Sequence, residues 1–214
     1  MPFPTTSILD NFNRTDEGPP PSASWDYPIA SFVPNGLSVI SNTLGRTPSN
    51  FGGAYWSAST FGPDSELYGT ISTMVGSDTI DFGLLLRIQS PGSGGAGGAG
   101  MDGYYVSFTR NSPNYQLLIY RIDNAVFTQL GTTQTPGNLV VGDKIGAQII
   151  GNSIQAYRDS GSGWASYGTP ETDSTYSGAG YVGVVIADPT GRMDDVGGGT
   201  VVGGITFPAR WATA

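Results

Sequence analysis

The sequence contains neither cysteine nor histidine. Without cysteine the fold has no disulfide to stabilise it. Without histidine or cysteine, the Ser-His-Asp and Cys-His systems of nucleophilic catalysis are excluded for this chain. The lack of histidine also removes the commonest protein ligand of zinc. Enzymes that depend on these groups are therefore excluded.

Positive charge is scarce as well. The chain has nine basic residues, of which Lys144 is the single lysine, and its net charge is −8 at pH 7. Because proteins bind nucleic acid through clustered Lys and Arg, no nucleic-acid partner is expected. No apolar run approaches the roughly 20 residues that span a bilayer, and the first residues lack the pattern of a signal peptide. We therefore expect synthesis in a cytoplasm and no membrane insertion.

Glycine and proline are abundant in this sequence. The 214 residues include 33 Gly and 15 Pro, whereas only 12% are charged. This composition favours short strands joined by tight turns, with no substantial helix. Roughly a dozen strand-like runs recur at the spacing typical of a two-sheet sandwich. We predict one all-β domain over 1–214, with a proline-rich opening segment at 1–24 and glycine-rich closing strands at 197–214.

The stretch Asp81–Arg121 shows the clearest strand pattern. Apolar and polar residues alternate with period two on both sides of a glycine-rich loop, as in strands with one buried face. The predicted buried face comprises Phe82, Leu84, Leu86, Ile88, Tyr104, Val106, Phe108, Tyr115, Leu117 and Ile119. The opposite face holds Arg87, Tyr105, Ser107 and Gln116, a polar and aromatic mixture that suits either a groove or plain solvent.

The sequence also predicts several of the connections between strands. Asp123-Asn124 and Gly151-Asn152 predict two-residue hairpin turns, because these residues tolerate positive φ. The run 44–53 is interpreted as a polar turn. The loop PGSGGAGGAGM at 91–101 has no nearby lysine and is followed by a strand, which disfavours phosphate binding. It is interpreted as a flexible connection or as a segment that a neighbouring subunit orders.

Several of these runs carry a family resemblance. DFGLLLRI, DGYYVSF, VGDKIGAQIIGNSIQAYRD, YSGAGYVGVVIAD and the closing MDDV together resemble the LamG-like branch of the concanavalin A-like lectin/glucanase jelly roll. The opening LDNFNRTDEGPPPSASW resembles the start of such domains in bacteriophage tail and other virion proteins. The resemblance implies a two-sheet antiparallel jelly-roll sandwich, a concave face that commonly holds glycans, and in many members a structural calcium.

The resemblance also pairs the two ends of the chain. In jelly rolls of this kind the first and last strands are neighbours, which would bring Asp10 close to Asp194 and Asp195. Aspartate oxygens are ligands that calcium prefers, so these three residues form a candidate calcium site. The alternative is that they cap turns and accept hydrogen bonds from backbone amides.

Four aromatic residues are candidates for stacking against sugars. Tyr55, Trp56, Trp164 and Tyr167 lie beside Gly/Ser-rich loops, where binding residues concentrate. The alternative is that at least half of the four tryptophans, Trp25, Trp56, Trp164 and Trp211, fill the core between the sheets.

Catalytic residues are not found. The glucanase branch uses a Glu-x-Asp-x-Glu strand, and none of Glu17, Glu66 and Glu171 is so arranged. Adjacent aspartates such as Asp194 and Asp195 point to opposite faces of a strand and cannot form the facing pair that a glycosidase needs.

The sequence therefore predicts a non-catalytic structural or adhesion protein of a phage virion, in the tail, a fibre or the head surface. It would contact other virion proteins and a host-surface glycan, and act as a homo-oligomer. Two alternatives remain open at this point: a free-standing carbohydrate-binding module or lectin, and a polysaccharide-degrading enzyme of the same fold.

Overall fold

The computed structural model describes residues 2–27, 33, 35–46, 51–74, 79–92, 100–111, 114–188 and 190–202. Most of the glycine loop (93–99) and the end of the closing segment, with Trp211, lie outside the described residues. Within the described residues the only regular elements are strands. No helix that could cross a membrane is found among these residues. The strands are β1 (Ile8–Asp10), β2 (Trp25–Asp26), β3 (Asn35–Ile40), β4 (Thr43–Arg46), β5 (Gly52–Trp56), β6 (Ser65–Thr73), β7 (Thr79–Ser90), β8 (Asp102–Asn111), β9 (Asn114–Asp123), β10 (Val126–Gln134), β11 (Lys144–Ile150), β12 (Ser153–Asp159), β13 (Trp164–Ser166), β14 (Glu171–Thr172), β15 (Tyr181–Ile186) and β16 (Arg192–Thr200).

The strands form two sheets joined through β3. Sheet A has the order β3-β4-β16-β6-β11-β12-β13, with β1 on β16 and β14 on β12. Sheet B has the order β10-β9-β8-β7-β15-β5, with β2 and the first residues of β3 on the free side of β5. Every pair is antiparallel except the short contact of β3 with β5. The all-β sandwich is thus confirmed, with one parallel pair added.

The core lies between the inner faces of the two sheets. Sheet B contributes the alternate residues of β7, β8 and β9 that the period-two pattern predicts, and sheet A contributes alternate residues of β6, β11 and β12. Fully buried examples are Leu84, Leu86, Val106, Leu117, Leu67, Ile145 and Ile154. The nearly continuous apolar strand β15 lies between β7 and β5, as expected of a strand covered on both faces.

One prediction for the core is wrong because of a β-bulge. The register of β7 shifts after Leu86, and Arg87 takes a φ of 48°. A bulge adds one residue to a strand, so the residues beyond it exchange faces. Ile88 consequently packs in a second apolar cluster on the outer face of sheet B, apart from the core that holds Leu86.

Arg87 is displaced by the same bulge, which corrects its predicted place on the outer face. Its side chain is 1% exposed and donates hydrogen bonds to three carbonyl oxygens, those of Pro63, Tyr176 (2.9 Å) and Gly151 (2.8 Å). Burial lowers the pKa of Arg87, with the charges of Tyr104 and Asp64 acting against it. Arg87 therefore ties three separate connections to one end of sheet B.

The hairpin predictions need two adjustments. The turn at Gly151-Asn152 is confirmed between β11 and β12. The turn between β9 and β10 lies one residue later than predicted, at Asn124 and Ala125, both with positive φ. The run interpreted as a polar turn contains most of strand β4, which pairs with β3 across Ser41 and Asn42. Both of these turn residues have positive φ, as a two-residue hairpin requires.

Candidate functional site

An open groove lies on the outer face of sheet B. Two adjacent strands, β8 and β9, form its floor, because their outward residues face one another directly across the ladder: Tyr105 pairs with Tyr120, Ser107 with Leu118, and Thr109 with Gln116. The groove has a volume of about 480 Å³. Its lining is completed by Phe127 of β10, Val185 of β15 and Phe51, which precedes β5.

Three aromatic rings form one wall of the groove. Tyr105 and Tyr120 have ring centroids 6.2 Å apart, and Phe127 meets both edge-on, at 5.9 Å and 5.5 Å. Tyr105 is nearly buried, whereas Phe127 is 39% exposed. Such edge-to-face packing fixes the orientation of each ring. The wall therefore presents a rigid apolar surface.

The polar groups of the groove are all uncharged. Ser107 and Thr109 share a hydrogen bond of 2.6 Å between their hydroxyl oxygens. Gln116 is half-buried, and within the described structure its carboxamide makes no hydrogen bond to protein. A carboxamide offers two donors and one acceptor oxygen, so Gln116 can bond two neighbouring groups of a ligand. None of the nine residues that line the groove carries a charge.

The four aromatic residues predicted from the sequence do not converge. Tyr55 and Trp56 are consecutive in β5, so their side chains point to opposite faces of sheet B. Tyr55 lies on the outer face, where its hydroxyl donates to Asp26 (3.1 Å) and its ring meets Tyr181 edge-on. Burial, together with the charge of Asp26, raises the pKa of Tyr55 to about 12. Trp56 faces the core and packs edge-on against the ring of Trp25.

The remaining two candidates lie elsewhere. Tyr167 is 5% exposed, its ring lies nearly parallel to that of Phe108, and its hydroxyl donates to the carbonyl of Gly137 at 2.5 Å. Tyr167 therefore packs in the core, because a ring enclosed in this way has no face for a sugar. Trp164 is half-buried on the outer face of sheet A, against Phe3 and Tyr68.

The predicted neighbours at the two chain ends do meet. Strand β1 pairs with β16, with Asp10 opposite Val196. Burial raises the pKa of Asp194, and the negative charges of Asp195 and Asp10 raise it further. A hydrogen bond from the Asp195 amide acts in the opposite direction. The three aspartates are therefore close in space, as the family resemblance implied.

These aspartates do not fit a calcium ion. Both carboxylate oxygens of Asp10 bond the guanidinium of Arg14, at 2.6 Å and 2.9 Å, and they also accept the Trp25 indole N–H and the amide of Phe12. A cation placed there would meet the positive charge of Arg14 and would have to displace it. No group of three acidic side chains in the described ranges is arranged to hold a metal ion. For Asp10 and Asp194, which accept hydrogen bonds from the amides of Phe12 and Asp195, the structure favours the capping role that was the alternative.

The groove residues that sequence reasoning missed are Tyr120, Phe127, Leu118, Thr109, Phe51 and Val185. The period-two pattern predicts Tyr105, Ser107 and Gln116 as outward residues of β8 and β9. Tyr120 and Leu118 obey the same alternation as Gln116 in β9, so the signal for them was present. Phe127 and Phe51 carry no such signal, because only the pairing of distant strands brings them to the groove.

The fold is similar to solved lectins and carbohydrate-binding modules. The carbohydrate-binding module CBM66 of Bacillus subtilis matches with a TM-score of 0.59 and 14% identity, over 83% of this chain and 94% of the module. The Ca²⁺-bound exoplasmic/lumenal domain of VIP36 matches with a TM-score of 0.58 and 14% identity, over 93% and 92%. The CBM2 module of the evolved Dit of Lactobacillus casei BL23 phage J-1 matches with a TM-score of 0.58 and 8% identity, over 90% and 95%.

At these identities the likeness shows the fold alone. No protein-family model and no curated protein matches the sequence. The chain thus has the sandwich fold of legume lectin-like domains and carbohydrate-binding modules, and its function has to be argued from its own residues.

Proposed function

We propose that this protein is a non-catalytic carbohydrate-binding domain and that it binds neutral glycans in the groove of sheet B. The observation that carries the proposal is the combination of a three-ring aromatic wall with the uncommitted carboxamide of Gln116. A pyranose ring has an apolar C–H face and a rim of hydroxyls. The C–H face suits the rings of Tyr120 and Phe127, and the hydroxyl rim suits the carboxamide of Gln116.

The charge of the groove selects the class of glycan. A sialylated, uronic or sulfated glycan would need a cationic partner, and none of the described lining residues is cationic. The net charge of −8 adds a general repulsion for acidic ligands. Neutral hexoses and their oligomers remain as the favoured ligands.

The groove also argues for binding without chemistry and without calcium. Glycoside hydrolysis takes a pair of carboxylates across the scissile bond, and none of the described residues that line the groove is Asp or Glu. These described residues therefore offer no anionic ligand for a calcium ion. The VIP36 domain is described in a Ca²⁺/Man-bound form, so the present groove would differ from that neighbour in its mode of binding.

We further propose that the domain belongs to a bacteriophage virion and contacts host-surface glycans from the tail, a fibre or the head surface. The phage-tail-like opening sequence and the similarity to the phage J-1 Dit module support this placement. Virion proteins commonly form symmetric homo-oligomers, in which repeated weak glycan contacts add up to firm attachment. A free-standing carbohydrate-binding module or lectin is the second candidate, favoured by the similarity to CBM66.

A glycan array with matched variants tests the binding function. Wild-type protein should bind neutral glycans, and Phe127→Ala should weaken binding about fivefold, because it removes one stacking ring worth roughly 1 kcal/mol. Val126→Ala is the control, since Val126 is the preceding residue, 64% exposed, and points away from the groove. An array without any wild-type signal, or equal losses in both variants, would refute the proposal for this groove.

The virion placement needs a separate measurement. Antibodies against the protein should label one discrete part of the parent phage particle in electron micrographs, and light scattering should report a homo-oligomer. Failure to label any particle from the source, together with a monomeric mass, would favour the free-standing module.

A further inference from the structure

A second pocket lies on the outer face of sheet A, on the opposite side of the sandwich from the groove. Its volume is about 260 Å³. Outward residues of four strands line it: Tyr68 and Thr70 of β6, Lys144 of β11, Trp164 of β13 and Asp195 of β16. The N-terminal segment closes one side with Pro4 and Ile8.

Three polar groups of this pocket have no hydrogen-bond or ion-pair partner among the described residues. Lys144, the single lysine, forms no ion pair with any described residue, although Asp195 lines the same pocket. Of the aspartate and glutamate side chains that the structure describes, Asp195 is the one whose carboxylate accepts no hydrogen bond. The indole N–H of Trp164 likewise has no partner among the described residues. An ammonium, a carboxylate and an indole N–H thus converge on one small space.

A β-bulge positions the carboxylate. The pairing of β16 with β6 shifts between Asp194 and Gly197, and Asp195 takes a φ of 48°. Positive φ is uncommon for residues other than glycine, and bulges often redirect a side chain at a functional site. Burial raises the pKa of Tyr68, and the charges of Glu66 and Asp195 raise it further. The side chains of Asp195 and Tyr68 are therefore near each other.

The aromatic wall of the pocket is held firmly. Trp164 meets the rings of Phe3 and Tyr68 edge-on, at 4.8 Å and 5.9 Å between centroids, and Phe3 stacks on Tyr157 at 4.1 Å. The N-terminal segment that carries Phe3 is anchored by the buried carboxylate of Glu66, which accepts hydrogen bonds from the amides and hydroxyls of Thr5 and Thr6. The pocket is therefore preformed.

We propose that this pocket is a second carbohydrate subsite, which takes a single hydroxyl-rich pyranose unit. The indole of Trp164 contacts the apolar face of the sugar. The carboxylate of Asp195 accepts hydrogen bonds from two adjacent hydroxyls, and the ammonium of Lys144 donates to a third oxygen. The site differs from the groove of sheet B in using charged groups, so the two sites bind independently, on opposite faces of one domain.

Indole N–H signals in a ¹H–¹⁵N NMR titration test this site on the intact protein. The probes are methyl hexopyranosides and linear neutral oligosaccharides, and Trp164→Phe assigns the Trp164 signal. That signal should move on saccharide addition. The indole of Trp25 donates to Asp10 at 3.0 Å and should stay unchanged, as an internal reference. Amide signals of Ser107 and Gln116 report the groove in the same spectra.

The two sites can fail separately in this experiment. Shifts at both sets of residues support both proposals. Shifts at Gln116 with a static Trp164 signal overturn the second subsite and leave the proposed function standing. Shifts at Trp164 alone support the second subsite and overturn the groove, and a spectrum that never changes overturns both.

Two conservative variants show whether the charged groups carry the binding. Asp195→Asn keeps a side chain that tolerates positive φ, so the fold is preserved. It should weaken the Trp164-site affinity about tenfold, since a hydrogen bond to a charged group is lost, and leave the groove shifts unchanged. Lys144→Gln should act in the same direction. Full affinity in both variants would overturn the assignment.

Discussion

The ring of Tyr105 lies against Gly83 of the neighbouring strand, in the space that a Cβ at position 83 would occupy. Gly83 pairs with Ser107, so Tyr105 reaches it along the diagonal of the ladder. The aromatic wall of the groove thus depends on a glycine that does not itself line the groove. A side chain at position 83 would lift Tyr105 from the sheet and disturb its contacts with Tyr120 and Phe127.

Gly83→Ala should therefore reduce both stability and glycan binding. Overpacking at such a contact costs about 1–3 kcal/mol in free energy of unfolding, which urea denaturation measures. Gly178→Ala is the control, because an added Cβ there meets only the end of the Gln89 side chain. Equal stability of the two variants, with groove binding intact, would show that Tyr105 is not held by this contact.

Arg87→Met should destabilise the protein strongly. Removing the guanidinium leaves three carbonyl oxygens without their donor, at a total cost of about 3 kcal/mol or more. Arg121→Met serves for comparison. The Arg121 side chain is 26% exposed beside Asp123 and Asp173, and the loss of such ion pairs costs about 1 kcal/mol or less. Thermal and urea unfolding of both variants give the comparison, and similar losses would contradict the role assigned to Arg87.

Asp10 and Asp194 lie on paired strands, and their contributions to stability should change with pH in opposite directions. Burial alone would raise the pKa of Asp10, but hydrogen bonds from Arg14, the Phe12 amide and Trp25 hold it below 3.8. Asp10 therefore stabilises the fold above its unfolded pKa, and this contribution is lost as the pH falls through the lowered folded pKa. Burial, with the charges of Asp195 and Asp10, raises the pKa of Asp194 despite its bond from the Asp195 amide. The contribution of Asp194 to the free energy of unfolding is present in acid, below its unfolded pKa. That contribution is lost as the pH rises through the raised pKa of the folded state.

The corresponding asparagine variants give the measurement. At neutral pH, Asp10→Asn should lower the unfolding midpoint and Asp194→Asn should raise it. Below about pH 3 both differences should shrink, because the wild-type carboxyls are then increasingly protonated in both the folded and unfolded states. Shifts of the same sign at neutral pH would contradict the assignment.

Chelation should leave the protein unchanged. Since Arg14 occupies the carboxylate of Asp10, EDTA should move the melting temperature by no more than about 1 °C, and added calcium should not raise it by mass action. Neutral-glycan binding should persist in EDTA. A clear fall in melting temperature would show that calcium is bound and that the guanidinium of Arg14 does not exclude it.

Much of the sandwich could be predicted from local pattern alone. Alternation assigned Leu84, Val106 and Leu117 to the core, because a strand places successive side chains on opposite faces. The all-β class, the Gly151-Asn152 turn and the meeting of β1 with β16 followed from composition, turn chemistry and resemblance. The same alternation already placed Gln116 and Tyr105 on the outer face that became the groove.

Only the tertiary structure decided which of these residues work together. The bulge at Arg87 exchanged the faces of the residues beyond it, and no local signal in the sequence marks that insertion. The partners of Asp10 and the enclosure of Tyr167 depend on contacts between distant segments, so an exposed aromatic and a core aromatic look alike in the sequence. Composition and periodicity determined an all-β sandwich, whereas strand order and register determined that Phe127 joins Tyr120 on one face and that Lys144, Trp164 and Asp195 meet on the other.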